Sequence, residues 1–211
     1  MGMRPWLVLS STTGSLWESV WLSVDESVRA GIQGVWSDRP APIIQRAERH
    51  LDSMKIRVHD GPESLEKALL DVVRRCPDLV VLCWGYKRIL SREFLQACSA
   101  PVFNSHPSLL PAFPGWDQRV HHEVFQRALW TGVSAHFVNE DLDAGPLIEQ
   151  LCLPITRTME SAQALREAVK ELEVKMWVSL LPRLLNSKWT GQDRLETTRA
   201  IQARIEFVNR S

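Results

Sequence analysis

The sequence predicts an α/β fold: a doubly wound, mostly parallel sheet followed by a long C-terminal helix. Two observations carry this expectation. In the first half, short unbroken apolar runs such as Trp6-Leu7-Val8-Leu9 alternate with amphipathic stretches such as Leu16 to Val28. Strands buried on both faces read as continuous apolar runs, and their alternation with helices builds parallel sheets. Further on, Ala162, Leu165, Val169, Leu172, Met176 and Leu180 recur at helical spacing between Met159 and Leu185, so one long helix is expected there.

The elements follow in order. After the first strand at Trp6–Leu9 and the helix from Leu16 to Val28, Ile32 to Trp36 is expected as a second strand. Pro42 to His50 is the next helix. Ile56-Arg57-Val58 makes a third strand, Ser64 to Arg75 a helix, and Leu79 to Cys83 a fourth strand. Pro101 to Phe103 adds a fifth, Glu123 to Trp130 a helix, and Val133 to Val138 and Pro146 to Leu153 two more strands. The polar tail after Asn186 is expected to fray toward its end. At 211 residues the chain is expected to be one domain with a sizeable core. Residues 1–100 form its first βα half, 101–185 its second, and 186–211 a tail.

Composition excludes several function classes. Lysines and arginines number 25, as do aspartates and glutamates, so the clustered positive charge of a nucleic-acid surface is not expected. No apolar run approaches the ~20 residues that span a bilayer, and the N-terminus lacks a signal-peptide pattern. Cys76, Cys83, Cys98 and Cys152 are scattered without a CxxC, which favours reduced thiols and a cytoplasmic protein. The nine tryptophans leave a homodimer open. Trp17, Trp21 and Trp177 sit on helical patterns and are expected in the core, whereas Trp84 and Trp116 flank the motifs and are candidate pocket walls. His121-His122 invites a metal reading. Adjacent helix residues do not face one another and no ligand cluster completes a site, so both are expected to be solvent-exposed and no metal is expected.

The chemistry concentrates between Phe103 and Gln150. Asn104 and His106 stand at the end of the expected fifth strand, two apart, so their side chains project to one face. The Pro/Gly-rich stretch from Pro107 to Gly115 holds a fixed loop rather than a helix. An amide donor, an imidazole and a later carboxylate are the parts that stabilise a tetrahedral oxyanion and move protons. Asp141 and Asp143 compete for the carboxylate role.

The string Asn104-x-His106-Pro107-Ser108-Leu109-Leu110-Pro111, then His136-Phe137-Val138, then Asp143-x-Gly145-Pro146 resembles the folate-dependent formyltransferases, densely from about Pro77 to Pro154. Pro114-Gly115 fits their purine-pathway branch; methionyl-tRNA and sugar enzymes usually carry Arg-Gly there. The resemblance implies a Rossmann-like formyltransferase fold, 10-formyltetrahydrofolate as co-substrate and a small-molecule amine as acceptor. Asn104, His106 and Asp143 are then the catalytic set, Asp143 being chosen because it directly precedes Ala144-Gly145-Pro146. His136 matches a family position too, either facing the site or satisfied by a backbone carbonyl. Gly85-Tyr86-Lys87-Arg88-Ile89-Leu90-Ser91 resembles the family's pterin segment, so the backbone of Arg88, Ile89 and Leu90 reads the pterin edge. The loop containing Asp141 closes over it. Glu173 aligns with an acidic residue near the acceptor.

One place departs from the family. Its members carry a Gly-Asn-Gly-Ser-Asn-like loop after the first strand, whose amides cradle the acceptor's phosphate. Here Ser10 is followed by Ser11, Thr12, Thr13, Gly14 and Ser15. These remain the candidate acceptor-binding residues at a helix N-terminus. Both family glycines are replaced, and other residues do not take positive φ cheaply. The acceptor therefore stays open between the family's ribonucleotide amine, another amine such as an amino-sugar nucleotide, and water. A catalytically silent folate-binding protein is the non-enzymatic alternative.

Overall fold

A computed structural model of the protein describes residues 2–115, 117–187 and 204–207. The chain divides into two compact units, Met1–Phe103 with Leu181–Gln192 and Asn104–Leu180 with Asp193–Ser211.

In the first unit, β1 (Trp6–Leu9) runs parallel to β2 (Ile32–Ser37) on one side and to β4 (Val80–Cys83) on the other. β3 (Ile56–Val58) lies parallel outside β2. Every residue of β1 and β4 is buried, as continuous apolar strands require. The helices are α1 (Ser15–Ser23), α2 (Glu26–Ala30), α3 (Pro42–Ala47), α4 (Gly61–Arg75) and α5 (Arg92–Ala97). On α4, Leu65, Leu69 and Val73 recur every four residues and are all buried, the stripe that seats a helix on a core. Because β1, β2 and β4 are parallel, the loops that follow them emerge at one edge of the sheet.

β5 (Val102–His106) begins in the first unit and ends in the second. In the second unit it is followed in the sheet by β6 (Trp130–Phe137), β7 (Leu147–Pro154) and β8 (Arg204–Phe207). β6 and β7 are antiparallel, and β8 is parallel to β7. The remaining helices are α6 (Asp117–Arg127) and α7 (Ala162–Asn186). The architecture is thus the α/β, mostly parallel sheet expected, with its long C-terminal helix.

Several elements differ from expectation for local reasons. The expected helix from Leu16 to Val28 is two helices, because Val24 is extended and Asp25 starts α2 from an extended conformation. Asp and β-branched Val both favour such a break. Trp130 opens β6 rather than closing a helix, pairing with Pro154. Helix α5 went unforeseen, although Ser91 caps it by accepting from the Phe94 N–H at 3.1 Å, a familiar N-terminal signal. Four residues of the expected fraying tail form β8. Trp17, Trp21 and Trp177 are buried as expected. Trp84 is core as well, with its ring 6.2 Å from that of Trp6, while Trp116 lies outside the described residues. His122 is exposed, but His121 is buried; about 3.6 residues per turn bring Val120, His121 and Val124 to the inner side of α6.

Phe137 N–H donates to the Pro146 carbonyl at 2.9 Å, closing the loop that carries Asp141 and Asp143. A Cβ at Gly145 would collide with the Phe137 carbonyl. Gly145→Ala is therefore expected to destabilise the protein by about 1–3 kcal/mol, as overpacking does. Urea denaturation gives the value, and a wild-type midpoint would contradict this account of the loop.

Candidate active site

The second unit gathers the expected catalytic residues around one carboxylate. Asp143 is the only non-glycine with positive φ among the described residues, at 53°. Its side chain is 4% exposed. Gly115 N–H donates to its Oδ2 at 2.9 Å, and Asn104 Nδ2 reaches Oδ1 at 3.5 Å. His106 Nδ1 lies 3.3 Å from Oδ2 and His136 Nε2 lies 3.7 Å from Oδ1. Asp141, the competing carboxylate, is exposed. Burial of a charge is tolerable only when hydrogen bonds replace its water, and strand, loop and glycine amide supply them here.

Hydrogen placement follows from the partners. His106 Nε2 meets the Phe113 carbonyl at 2.7 Å, while its Nδ1 faces the Asp143 carboxylate. The Phe113 carbonyl only accepts, so Nε2 carries a hydrogen, and Nδ1 lies within ion-pair distance of the carboxyl group. His136 Nδ1 meets the Phe137 carbonyl at 2.8 Å and therefore donates there. Burial pushes the His136 pKa below the ordinary value; the Phe137 carbonyl and the Asp143 charge oppose this without prevailing, and the His106 charge adds to it. A neutral His136 leaves Nε2 as an acceptor, and Asn104 Nδ2 donates to it at 3.2 Å. The β-bulge at Ala135/His136, where β7 carries one extra residue opposite β6, is the kind of irregularity that re-aims a side chain. His136 thus faces the cluster and is satisfied by a carbonyl at once.

The loop after β5 is held by buried polar contacts. Ser134 Oγ donates to the Ser108 carbonyl at 2.6 Å and accepts from the Leu110 N–H at 3.0 Å. Gln150 Nε2 donates to the Leu110 carbonyl at 3.0 Å, and Ser108 Oγ to the Phe113 carbonyl at 2.7 Å. These bonds fix the carbonyl that His106 meets. On the opposite side of β5, Ser105 donates to Glu173 of α7 and accepts from Trp177 Nε1 at 2.9 Å.

The first unit holds the other expected residues. Ser11 N–H donates to the Gly85 carbonyl at 3.1 Å, and Lys87 N–H to Ser11 Oγ at 3.4 Å, so the loop after β1 adjoins the segment after β4. Thr12 and Ser15 are half-buried, Thr13 is exposed, and Gly14 is buried with φ 70°. Leu90 is buried, whereas Arg88 and Ile89 are exposed. Asp38, which sequence reasoning missed, joins these segments. Its carboxylate is 1% exposed and accepts from Arg88 Nε at 3.1 Å and Arg39 Nη2 at 3.0 Å. Burial pushes the Asp38 carboxyl up, but hydrogen bonds from Ser11, Arg39 and Arg88 outweigh that and hold it below the usual carboxylate range. A carboxylate directly after an apolar strand, followed by Arg-Pro, was the available signal. Among the described residues no group of three or more His, Cys, Asp or Glu is placed to hold a metal ion.

The model of the formyl transferase family matches residues 6–181. The chain belongs to the formyl transferase family. It is 29% identical to the phosphoribosylglycinamide formyltransferase of Bacillus subtilis (strain 168) over 196 residues, covering 90% of this chain and 99% of that one. To the enzyme of the same name from Mycobacterium tuberculosis (strain ATCC 25618 / H37Rv) it is 30% identical, covering 90% of this chain and 89% of the relative. The crystal structure of glycinamide ribonucleotide transformylase 1 from Geobacillus kaustophilus superposes with a TM-score of 0.73 at 28% identity, covering 87% of this chain and 100% of that one. This formyl transferase is accordingly an enzyme of formyl-group transfer, and none of its described helices is long and apolar enough to cross a membrane.

A buried neutral His136 carries a stability consequence. In the unfolded chain its pKa returns to about 6.5, so below that pH the unfolded state takes up a proton that the folded state refuses. Stability is then complete above about pH 6.5 and declines as the pH falls toward the lowered folded value. His59, pushed down by burial and by the Arg57 charge, acts in the same direction. Denaturant titrations at successive pH values should show this decline, with a shallower slope in His136→Gln. An unchanged slope in that variant would exclude His136 as a source.

Proposed function

We propose that the protein transfers the formyl group of 10-formyltetrahydrofolate to the primary amine of glycinamide ribonucleotide, a step of purine biosynthesis. One observation carries the reading: Asn104 and His106 both meet Asp143, at 3.5 and 3.3 Å. The names of the relatives that align along nearly the whole chain support the choice of acceptor.

In the proposed reaction the amine nitrogen attacks the formyl carbon. The new C–N bond forms as the carbonyl π electrons move to oxygen, giving a tetrahedral oxyanion with a positive nitrogen. Asn104 donates to that oxygen. Of its two amide hydrogens, one is committed to His136; the other faces Asp143 at 3.5 Å, the weak limit of a hydrogen bond, and is the one assigned to the oxyanion. His106, as an imidazolium, supplies positive charge beside it. Asp143 takes the ammonium proton through water. Collapse re-forms the carbonyl and breaks the bond to N10, which receives a proton, releasing tetrahydrofolate and the formylated amine.

Donor and acceptor contacts complete the proposal. The backbone of Arg88, Ile89 and Leu90, with the Asp141 loop, takes the pterin. Ser11, Thr12, Thr13, Gly14 and Ser15 take the acceptor's phosphate end, and Glu173 its amine side. A second reading, formyl transfer to a different amine, is favoured by one observation. The Ser11 N–H already donates to Gly85, so this amide is taken up within the protein. The four described cysteines are free thiols, in keeping with a cytoplasmic location.

Absorbance of folate product formation, with and without glycinamide ribonucleotide, tests the reading. Turnover should require the ribonucleotide, and Asn104→Ala should lower kcat by about 100- to 1000-fold, as loss of one oxyanion donor does. Folate release without an acceptor would replace the reading with hydrolysis. Bound folate with no turnover would redirect it to another amine.

A further inference from the structure

Strand β5 serves two faces. Asn104 and His106 point toward Asp143, and Ser105 between them points to α7, as alternation along a strand dictates. There Trp177 Nε1 meets Ser105 Oγ at 2.9 Å, and Ser105 Oγ meets Glu173 Oε1. An indole N–H can only donate, so Ser105 accepts from Trp177 and must spend its single hydrogen on Glu173. The direction of this relay is therefore fixed: Trp177 to Ser105 to Glu173. Trp177 is fully buried and its indole cannot turn without disturbing the core, so it anchors the hydroxyl rotor. The hydroxyl in turn sets the direction of a carboxylate borne on a flexible side chain.

We propose that Ser105 and Trp177 are positioning residues that orient the Glu173 carboxylate toward the acceptor's cationic or hydroxyl-bearing end, and so govern acceptor affinity separately from the folate. The proposal rests on the reading of Glu173 as an acceptor-side residue. A carboxylate accepts about four hydrogen bonds, so the bond from Ser105 directs it without exhausting it. Hydrogen bonds to a charged group are the stronger kind, so the Ser105 hydroxyl contributes to the carboxylate's direction. The face-splitting of β5 predicts selectivity: breaking the relay disturbs the Glu173 side and leaves the Asn104–His106–Asp143 side in place.

Steady-state kinetics with 10-formyltetrahydrofolate and glycinamide ribonucleotide, on the wild type, Ser105→Ala, Ser105→Thr, Trp177→Phe and Glu173→Gln, make the test. Ser105→Ala should raise the KM for the ribonucleotide about tenfold, equivalent to ~1.4 kcal/mol. The KM for the folate and kcat should stay within about twofold. Ser105→Thr should restore the wild-type value, and Ser105→Ala should add little to Glu173→Gln, since both break one relay. An unchanged ribonucleotide KM in Ser105→Ala, equal rises in both KM values, or full additivity with Glu173→Gln would each overturn the proposal. Indole N–H resonances of ¹⁵N-labelled protein read the relay without turnover. The Trp177 signal should shift in Ser105→Ala and, through the hydroxyl, in Glu173→Gln. If the wild type does not use glycinamide ribonucleotide, the proposed acceptor is wrong; an unmoved Trp177 signal in Glu173→Gln would show separately that the relay is wrong.

Discussion

The constraint on which the second unit depends is the burial of one carboxylate. Asp143 is almost wholly removed from water, and an unpaired buried carboxylate would cost several kcal/mol. Four groups surround it: the Gly115 amide, the Asn104 amide, the His106 ring and the His136 ring. They come from β5, from the loop after it and from β6, so the carboxylate can be satisfied only when those segments have assumed their final positions. Its left-handed backbone at φ 53° is a modest strain that Asp tolerates better than most residues, and it turns the side chain inward where Asp141, two residues earlier, remains exposed. Satisfaction of the charge and assembly of the candidate site are the same event.

Much of this was legible because it is local. Strand periodicity placed Asn104 and His106 on one face, and the Pro/Gly-rich run after them marked a fixed loop. The apolar runs at Trp6–Leu9 and Leu79–Cys83 announced buried parallel strands, which form at Trp6–Leu9 and Val80–Cys83. What escaped is non-local. Nothing near Asp38 in the chain says that Ser11 and Arg88 will close on it, and nothing near Ser105 says that Trp177 lies above it. The burial of His121 depends on which side of α6 meets the core, and an adjacent pair of histidines does not encode that choice. Trp84 was ambiguous for a related reason: an aromatic at the end of a buried strand serves equally as a pocket wall or as a core ring. Proximity to Trp6 decides it.

The first unit uses the same device with a different result. Asp38 is buried between two arginines and Ser11, and Glu18 on α1 is ringed by Arg46, Arg49 and His50 of the region around α3. For Glu18, burial raises the carboxyl pKa, but the hydrogen bonds from His50 and Arg46 and the charges of Arg46 and Arg49 together bring it below the ordinary value. Both carboxylates are therefore ionised near neutrality and lock their neighbours in place. The loop after β1 and the segment after β4, each a candidate for one substrate, share Asp38 as an anchor. A change in one has a direct physical route to the other through Ser11 and Arg88.

Proton bookkeeping distinguishes the two histidines that share Asp143. His106 meets the Phe113 carbonyl through Nε2 and the Asp143 carboxyl group through Nδ1, so its Nε2 carries a hydrogen. His136 has one acceptor, the Phe137 carbonyl, and one donor, the Asn104 amide, so the neutral form is the one that fits. A hydrogen on His136 Nε2 would be set against the Asn104 N–H. With His136 neutral, Asn104 donates to His136 and His136 donates to Phe137, while His106 donates to the Phe113 carbonyl. Asn104 presents its amide nitrogen to the cluster because the neutral His136 Nε2 has no hydrogen to donate to the amide oxygen, so the histidine fixes the amide's orientation. A site built to meet developing negative charge must hold its donors before the charge appears, and here the Phe137 carbonyl sets the His136 tautomer, which in turn sets the direction of the Asn104 amide.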